Sequence, residues 1–181
     1  MPAPMTTRRL LCSLPCLPVL ALASCGGASG PDFPPPCPKV AILHDAADLN
    51  RFAGSGQDLT QMVLGGRITG LSGTCTRAQG DNVLTAVTVA LDLTRGPAAP
   101  SRQAAAAYFV ALVDGQTILA KRVYPIEGRF PPNTDRLTVA AKPVEVLVPN
   151  SPTKSAAAYQ LLVGFVLTPA ELQSNRTRGI R

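Results

Sequence analysis

Cysteines are the residues of this sequence whose type and spacing could best support chemistry. Two lie in an apolar N-terminal stretch, Cys25 follows that stretch, and Cys37 and Cys75 come later in the chain. A thiol can carry a lipid, ligate a metal, transfer electrons or form a disulfide, and its neighbours decide which. Because the chain has one histidine, His44, and no C-x-x-C pair, we predict no metal site and no cofactor.

Residues 1–24 have the pattern of a signal peptide. Arg8 and Arg9 form a charged region, and the thirteen-residue apolar run 10–22 follows it. Such a run is too short to span the ~30 Å of hydrocarbon in a bilayer. We therefore predict a leader that is removed on export.

Leu22-Ala23-Ser24-Cys25 resembles the lipobox of bacterial lipoproteins. This resemblance implies that Cys25 receives a diacylglycerol and becomes the first residue of the mature chain. Ordinary cleavage after Ala23 is the alternative, and it would leave a soluble amino terminus. Gly26 stands where aspartate commonly retains lipoproteins in the inner membrane, so the sorting rule favours the periplasmic face of the outer membrane. Residues 25–36 then form a tether that is first flexible and then proline-rich.

Two cysteines, Cys37 and Cys75, remain after the leader is removed and Cys25 is lipidated. In an oxidising periplasm, an even remainder of two favours a disulfide. Closing a loop of this length, about 38 residues, would stabilise the fold by roughly 4 kcal/mol on the chain-entropy model.

The mature chain has a modest positive charge. Removing the leader takes away two arginines and no acid, which lowers the formal charge from +6 to +4. The basic residues are dispersed, the chain has no tryptophan, and aromatic residues make up 4% of it, so we expect no nucleic-acid partner. The length from residue 37 to 176 suits one domain, followed by a basic tail at 177–181.

No set of residues predicts catalysis. His44 is the one possible base of a serine triad, and the segment Gly70-Leu71-Ser72-Gly73 misses the G-x-S-x-G pattern by one position. The pair Asp45 and Asp48 falls on a predicted helical turn, where these acids would interact with the helix dipole. We therefore predict that the protein is not an enzyme.

Hydrophobic periodicity predicts a mainly β fold. From Val83 to Thr94 apolar residues alternate with small or polar ones, which is typical of a half-buried antiparallel strand. Asp114-Gly115 separates two further strand-like runs and predicts a hairpin whose second arm ends at Pro125. Further strands are expected at 39–43, 67–76, 137–141, 144–148 and 158–167.

Two short helices complete the prediction. One is expected near residues 45–52, and the other at 169–175, where Thr168, Pro169 and Glu171 form a capping box. About seven short strands without a βαβ rhythm favour an antiparallel two-sheet sandwich, as in immunoglobulin and fibronectin domains.

Several segments resemble a group of small proteobacterial lipoproteins. The likeness covers nearly the whole mature chain and implies one domain with a Cys37–Cys75 bridge, but it brings no activity with it. Besides the lipobox, its motifs are Cys37-Pro38, the Asp45 to Phe52 segment, Gly73-Thr74-Cys75, Arg95-Gly96-Pro97-Ala98-Ala99, Tyr108-Phe109-Val110-Ala111 and the segment from Leu162 to Arg176.

Two functions remain open from the sequence. In the first, a membrane-anchored periplasmic lipoprotein acts as a structural or interaction module and binds an envelope protein through a sheet edge or loop. In the second, the sandwich binds a small ligand in a cavity or at a loop end. Arg95, Gly96 and Pro97 form the predicted interaction loop, and a purely structural turn explains them equally well.

Overall fold

The computed structural model describes residues 34–54 and 56–179, so the leader and Cys25 lie outside the described residues. Within this part, nine strands precede one C-terminal α-helix. The elements are β1 (Lys39–Ile42), β2 (Asp48–Phe52), β3 (Met62–Arg77), β4 (Val83–Arg95), β5 (Gln103–Asp114), β6 (Thr117–Arg129), β7 (Arg136–Ala140), β8 (Val144–Val148), β9 (Gln160–Phe165) and α1 (Pro169–Arg178).

The strands form two sheets packed face to face, which confirms the predicted sandwich. The first sheet has the order β1-β9-β5-β6, and the second has β2-β3-β4 with β7 and β8 both paired to the far side of β4. Every pairing is antiparallel except that of β1 with β9, which is parallel. The first and last strands therefore meet side by side.

The core lies between the sheets, and β4 contributes the alternating pattern expected from its sequence. Its odd-numbered positions up to Leu93 are buried, whereas the even-numbered ones are partly exposed. Burying these apolar side chains contributes about 25 cal/mol for each Å² removed from water. The residues they meet on the first sheet include Tyr108, Val110, Leu161, Val163 and Phe165.

The predicted hairpin is confirmed, but its turn and its end differ from the prediction. The two-residue loop is Gly115-Gln116. Gly115 has a φ of +57°, and two-residue hairpin turns need a positive φ at this first position, which glycine adopts readily. Pro125 does not end the second arm, because β6 runs on to Arg129. Proline is tolerated there since β6 is an edge strand and its outer side needs no backbone donor.

The helix predicted near residues 45–52 is wrong. A single 3-10 turn covers His44–Ala46, and the chain then enters β2, which pairs antiparallel with the first third of β3. Leu49 of β2 is buried in the core between the sheets. Asp45 lies inside this turn, and its N-cap residue, Leu43, makes no side-chain cap bond. Pairing with β3 makes the following residues a strand.

The C-terminal helix is confirmed, and it is longer than expected. The hydroxyl of Thr168 accepts from the Glu171 amide at 3.2 Å, while the Glu171 carboxylate accepts from the Thr168 amide at 2.7 Å. The helix continues through Arg178, so the start of the predicted tail 177–181 is helical. Asn175 attaches it to the sandwich through Nδ2, which donates to the carbonyls of Asp45 at 2.9 Å and Asp48 at 2.7 Å.

Candidate functional site

The disulfide predicted between Cys37 and Cys75 is confirmed, with a Cα–Cα distance of 6.0 Å. Cys37 precedes β1 in the first sheet, and Cys75 lies on β3 in the second. The bond therefore links the two sheets covalently at the side of the sandwich where β1 approaches β3. This bond restrains the two sheets relative to each other.

The predicted interaction loop, Arg95, Gly96 and Pro97, is a turn held against neighbouring strands. The Arg95 amide donates to the carbonyl of Asp135 at 2.7 Å, and Nε of the same arginine donates to the Asp135 carboxylate at 2.8 Å. This second bond holds the pKa of Asp135 below its ordinary value. Gly96 is buried, and its amide donates to the Val63 carbonyl at 3.0 Å. Only Pro97 of the three is well exposed.

The residues considered for catalysis do not come together. His44 Nδ1 lies 3.2 Å from the carboxylate of its neighbour Asp45, which also accepts from Arg176 Nε at 2.9 Å. The Arg176 bond, followed by that of His44, lowers the pKa of Asp45. Ser72 lies on β3 opposite Thr88. Among the described residues, no hydrogen bond joins His44 to Ser72.

The outer face of the second sheet carries a row of polar residues, one from each of four strands. Arg67 donates two bonds to the Asp48 carboxylate, at 2.7 and 3.0 Å, and Thr138 Oγ1 donates to Asp92 at 2.7 Å. The hydrogen bond to Asp48 raises the pKa of Arg67. Asp48, Arg67 and Asp92 line a shallow groove of about 650 Å³ that also includes Arg136. Both acids are already engaged, and no cluster of three or more metal-ligating side chains occurs in 34–54 or 56–179.

The most distinctive surface is the outer edge of β6. This strand is the last of its sheet and pairs only with β5 among the described strands. Every residue from Thr117 to Val123 is exposed, and three of the seven large hydrophobic side chains exposed in the described part lie here. They are Ile118, 61% exposed, Leu119, 48% exposed, and Val123, 54% exposed. We call the stretch Thr117–Tyr124 the β6 edge.

Basic side chains lie within this apolar edge. Lys121 Nζ is 4.3 Å from the centroid of the Phe109 ring, and Arg122 is its exposed neighbour. By sequence, this stretch is predicted only as the second arm of a hairpin. The adjacent pair Ile118-Leu119 is a sequence signal for an exposed apolar side chain, because two consecutive residues in a strand cannot both face the same core.

These features define the described part of the chain as a disulfide-linked β-sandwich with an exposed, partly apolar edge strand. Comparison with protein-family models, curated proteins and solved structures gives no match for this chain. None of the helices in the described residues has the length and apolar character needed to span a membrane.

Proposed function

We propose that the protein is an envelope lipoprotein, anchored through Cys25, whose sandwich binds an extended segment of another envelope protein along the β6 edge. The observation that carries the proposal is the β6 edge, which is unpaired among the described strands and has three exposed hydrophobic side chains. Proteins usually protect such an edge, because its free backbone groups can pair with any extended chain. Strand addition uses those groups for affinity and the side chains for selectivity.

The length of the β6 edge suits this mode of binding. A β-bulge at Leu119, which has no partner in β5, interrupts the edge. The regular stretch before Pro125 is Ala120–Tyr124, which at about 3.3 Å per residue offers roughly 17 Å of strand for pairing. Proline has no backbone donor, so it limits the paired segment on one side. The bulge at Leu119 limits it on the other.

Charge adds a preference for the partner. Lys121 and Arg122 are adjacent on the β6 edge, and no ion pair involves either of them among the described residues. Opposite charges on facing strand positions stabilise pairing, whereas like charges destabilise it. The proposed partner segment is therefore extended, partly apolar, and acidic near its centre. Lysine on an edge also discourages indiscriminate association.

The anchor contributes by confining the module to the membrane surface. Each buried methylene contributes about 0.8 kcal/mol, so an acylated amino terminus holds the protein at a bilayer stably. The tether 25–36 then sets the range over which the β6 edge can reach a partner. This part of the proposal rests on the lipobox resemblance and on Gly26.

Position-specific crosslinking in intact envelopes tests the interaction. A photoreactive amino acid at position 119 on the β6 edge should yield one discrete crosslinked protein. The same group at Leu147, 53% exposed on β8 in the other sheet, is the matched control and should not yield it. Equal crosslinking from both positions, or none from position 119, would contradict binding along β6.

Substitution of the anchor tests the location. In cells that export the wild-type chain, the protein should fractionate with outer membranes, and mass spectrometry should find acylated Cys25 at the amino terminus. Cys25→Ala should release it from the membrane fraction and weaken the crosslink from position 119. A wild-type chain that is cleaved after Ala23 and recovered free of lipid would refute the anchor.

A further inference from the structure

A second candidate site lies between the two sheets, where β6 faces the junction of β7 and β8. A cleft of about 860 Å³ opens there, and Tyr108 and Tyr124 line it from the first sheet. The opposite wall comes from Val139, Ala141 and Val144. The second sheet is interrupted at this point, because β7 ends at Ala140 and β8 begins at Val144.

Tyr108 is a buried tyrosine whose hydroxyl lacks a partner among the described residues. The residue is 3% exposed. Among the described residues, Thr85 Oγ1 is the side-chain oxygen that is both sealed from solvent and without a partner. The Tyr108 hydroxyl therefore keeps some contact with solvent, and Tyr108 lines the cleft. Buried tyrosine hydroxyls usually have a hydrogen-bond partner. The cleft is therefore lined by a tyrosine hydroxyl that has no partner among the described residues, beside both apolar and charged side chains.

The surrounding residues restrict what can bind. The rings of Tyr108 and Tyr124 stack with centroids 5.3 Å apart, and Ile126 is buried beside them. These surfaces favour a flat, mostly apolar body. Four charged residues line the cleft, two basic and two acidic, so they provide no net attraction for an ion; they are Arg122, Lys142, Glu127 and Glu145.

We propose that this cleft binds a small uncharged molecule with an apolar, preferably aromatic, body and one hydrogen-bonding group that engages Tyr108 Oη. Sites for small molecules commonly have volumes of about 300–1,000 Å³, with apolar walls and a few placed polar groups. A charged ligand is disfavoured because the two basic and two acidic residues that line the cleft give an ion no net attraction. The cleft shares Arg122 and Tyr124 with the β6 edge, but recognition of a ligand through Tyr108 does not require strand addition there.

Three matched probes test this chemistry on the full-length chain carrying Cys25→Ala. Benzamide has the aromatic body and a neutral hydrogen-bonding group, benzoate has a charge, and toluene has neither. Titrations followed by NMR of the labelled protein should show benzamide binding in the millimolar range, as expected for so small a ligand. Shifts should concentrate at the cleft residues, and benzoate should bind more weakly. Tyrosine fluorescence gives a second readout because the chain has no tryptophan.

Two variants distinguish the contribution of the Tyr108 hydrogen bond to probe binding from that of the shape of the cleft. Tyr108→Phe keeps the ring and should weaken benzamide about 5–10-fold, with toluene unchanged. Ala141→Leu narrows the cleft and should weaken all three probes, whereas Leu147→Ala, outside the cleft, should weaken none. Unchanged benzamide affinity in Tyr108→Phe would overturn the proposal, as would NMR shifts scattered over the protein surface. It would also be overturned if the Tyr108 hydroxyl bonded only to water in the presence of the probe. Ile118→Lys, which alters the β6 edge, should leave probe binding intact and so separates this test from that of the interaction module.

Discussion

Gly96 packs directly against the backbone of Met62. A Cβ atom built on Gly96 would lie 2.0 Å from the Met62 carbonyl oxygen and 2.3 Å from its carbonyl carbon. That carbonyl also accepts a hydrogen bond from the Ala98 amide at 2.9 Å. The turn after β4 therefore requires glycine at position 96, because two backbone segments approach each other closely there. This packing gives a structural reason for the glycine in the Arg95-Gly96-Pro97 segment.

Gly96→Ala should therefore destabilise the sandwich. The obstructing atoms belong to the backbone, so relief requires β3 and the turn to separate, and we expect a loss of about 2–4 kcal/mol in the free energy of unfolding. Urea unfolding measures it. Gly70→Ala is the control, because a Cβ there meets only the Ala90 side chain at 3.9 Å. A loss at Gly70 equal to that at Gly96 would contradict the explanation.

Reducing the disulfide should lower stability without changing the fold. The bond closes a loop with a sequence separation of 38 and joins the two sheets. We expect the double variant Cys37→Ser with Cys75→Ser to lose about 2–5 kcal/mol in unfolding free energy. Urea unfolding with and without reductant measures the effect, and reductant should not affect the double variant further. A wild-type midpoint that is insensitive to complete reduction would contradict this stabilising role.

Asn175 and Arg176 should differ in their contributions, although they are adjacent on α1. Asn175→Ala leaves two backbone carbonyls without their donor, and we expect a cost of about 1–3 kcal/mol. The Arg176 side chain is 56% exposed, so Arg176→Ala should cost at most about 1 kcal/mol, because exposed ion pairs contribute little. Unfolding of the two variants side by side checks the order, and the reverse order would contradict the assigned role of Asn175.

Stability should fall in alkaline solution because of Tyr108. Burial, followed by the proximity of Tyr124, raises the pKa of Tyr108 above its ordinary value of 10.0. The folded state therefore holds this proton more tightly than the unfolded state does. The resulting stability is complete below pH 10.0 and is lost as the pH rises through the folded-state pKa.

Unfolding free energies between about pH 9 and pH 12 measure this alkaline loss. Tyr108→Phe cannot ionise at this position and should show a smaller decline over the same range. Absorbance of ionised tyrosine should also show a group that titrates above pH 10.0 in the wild type and is missing in Tyr108→Phe. Parallel declines in the wild type and Tyr108→Phe would contradict the assignment to Tyr108.

Sequence reasoning predicted the elements whose signals are local. The alternation in β4, the glycine of the hairpin turn and the capping box at Thr168 each depend on residues only a few positions apart. It was wrong for the Asp48–Phe52 segment, where the local cap favoured a helix and pairing with β3 produced a strand. The predicted end of the hairpin arm at Pro125 was wrong for a related reason. Whether a proline ends a strand depends on whether that strand lies at the edge of its sheet.

The sequence by itself determined the mainly β class, the Cys37–Cys75 pair and the C-terminal helix. Periodicity, cysteine number and capping depend on composition and short-range spacing, so they can be inferred before folding is known. Only the tertiary structure decided that β1 pairs with β9, that β6 lies at a sheet edge among the described strands, and that Tyr108 lines a cleft with no hydrogen-bond partner among the described residues. These relationships depend on which distant segments exclude water from each other, and short-range spacing carries no such information.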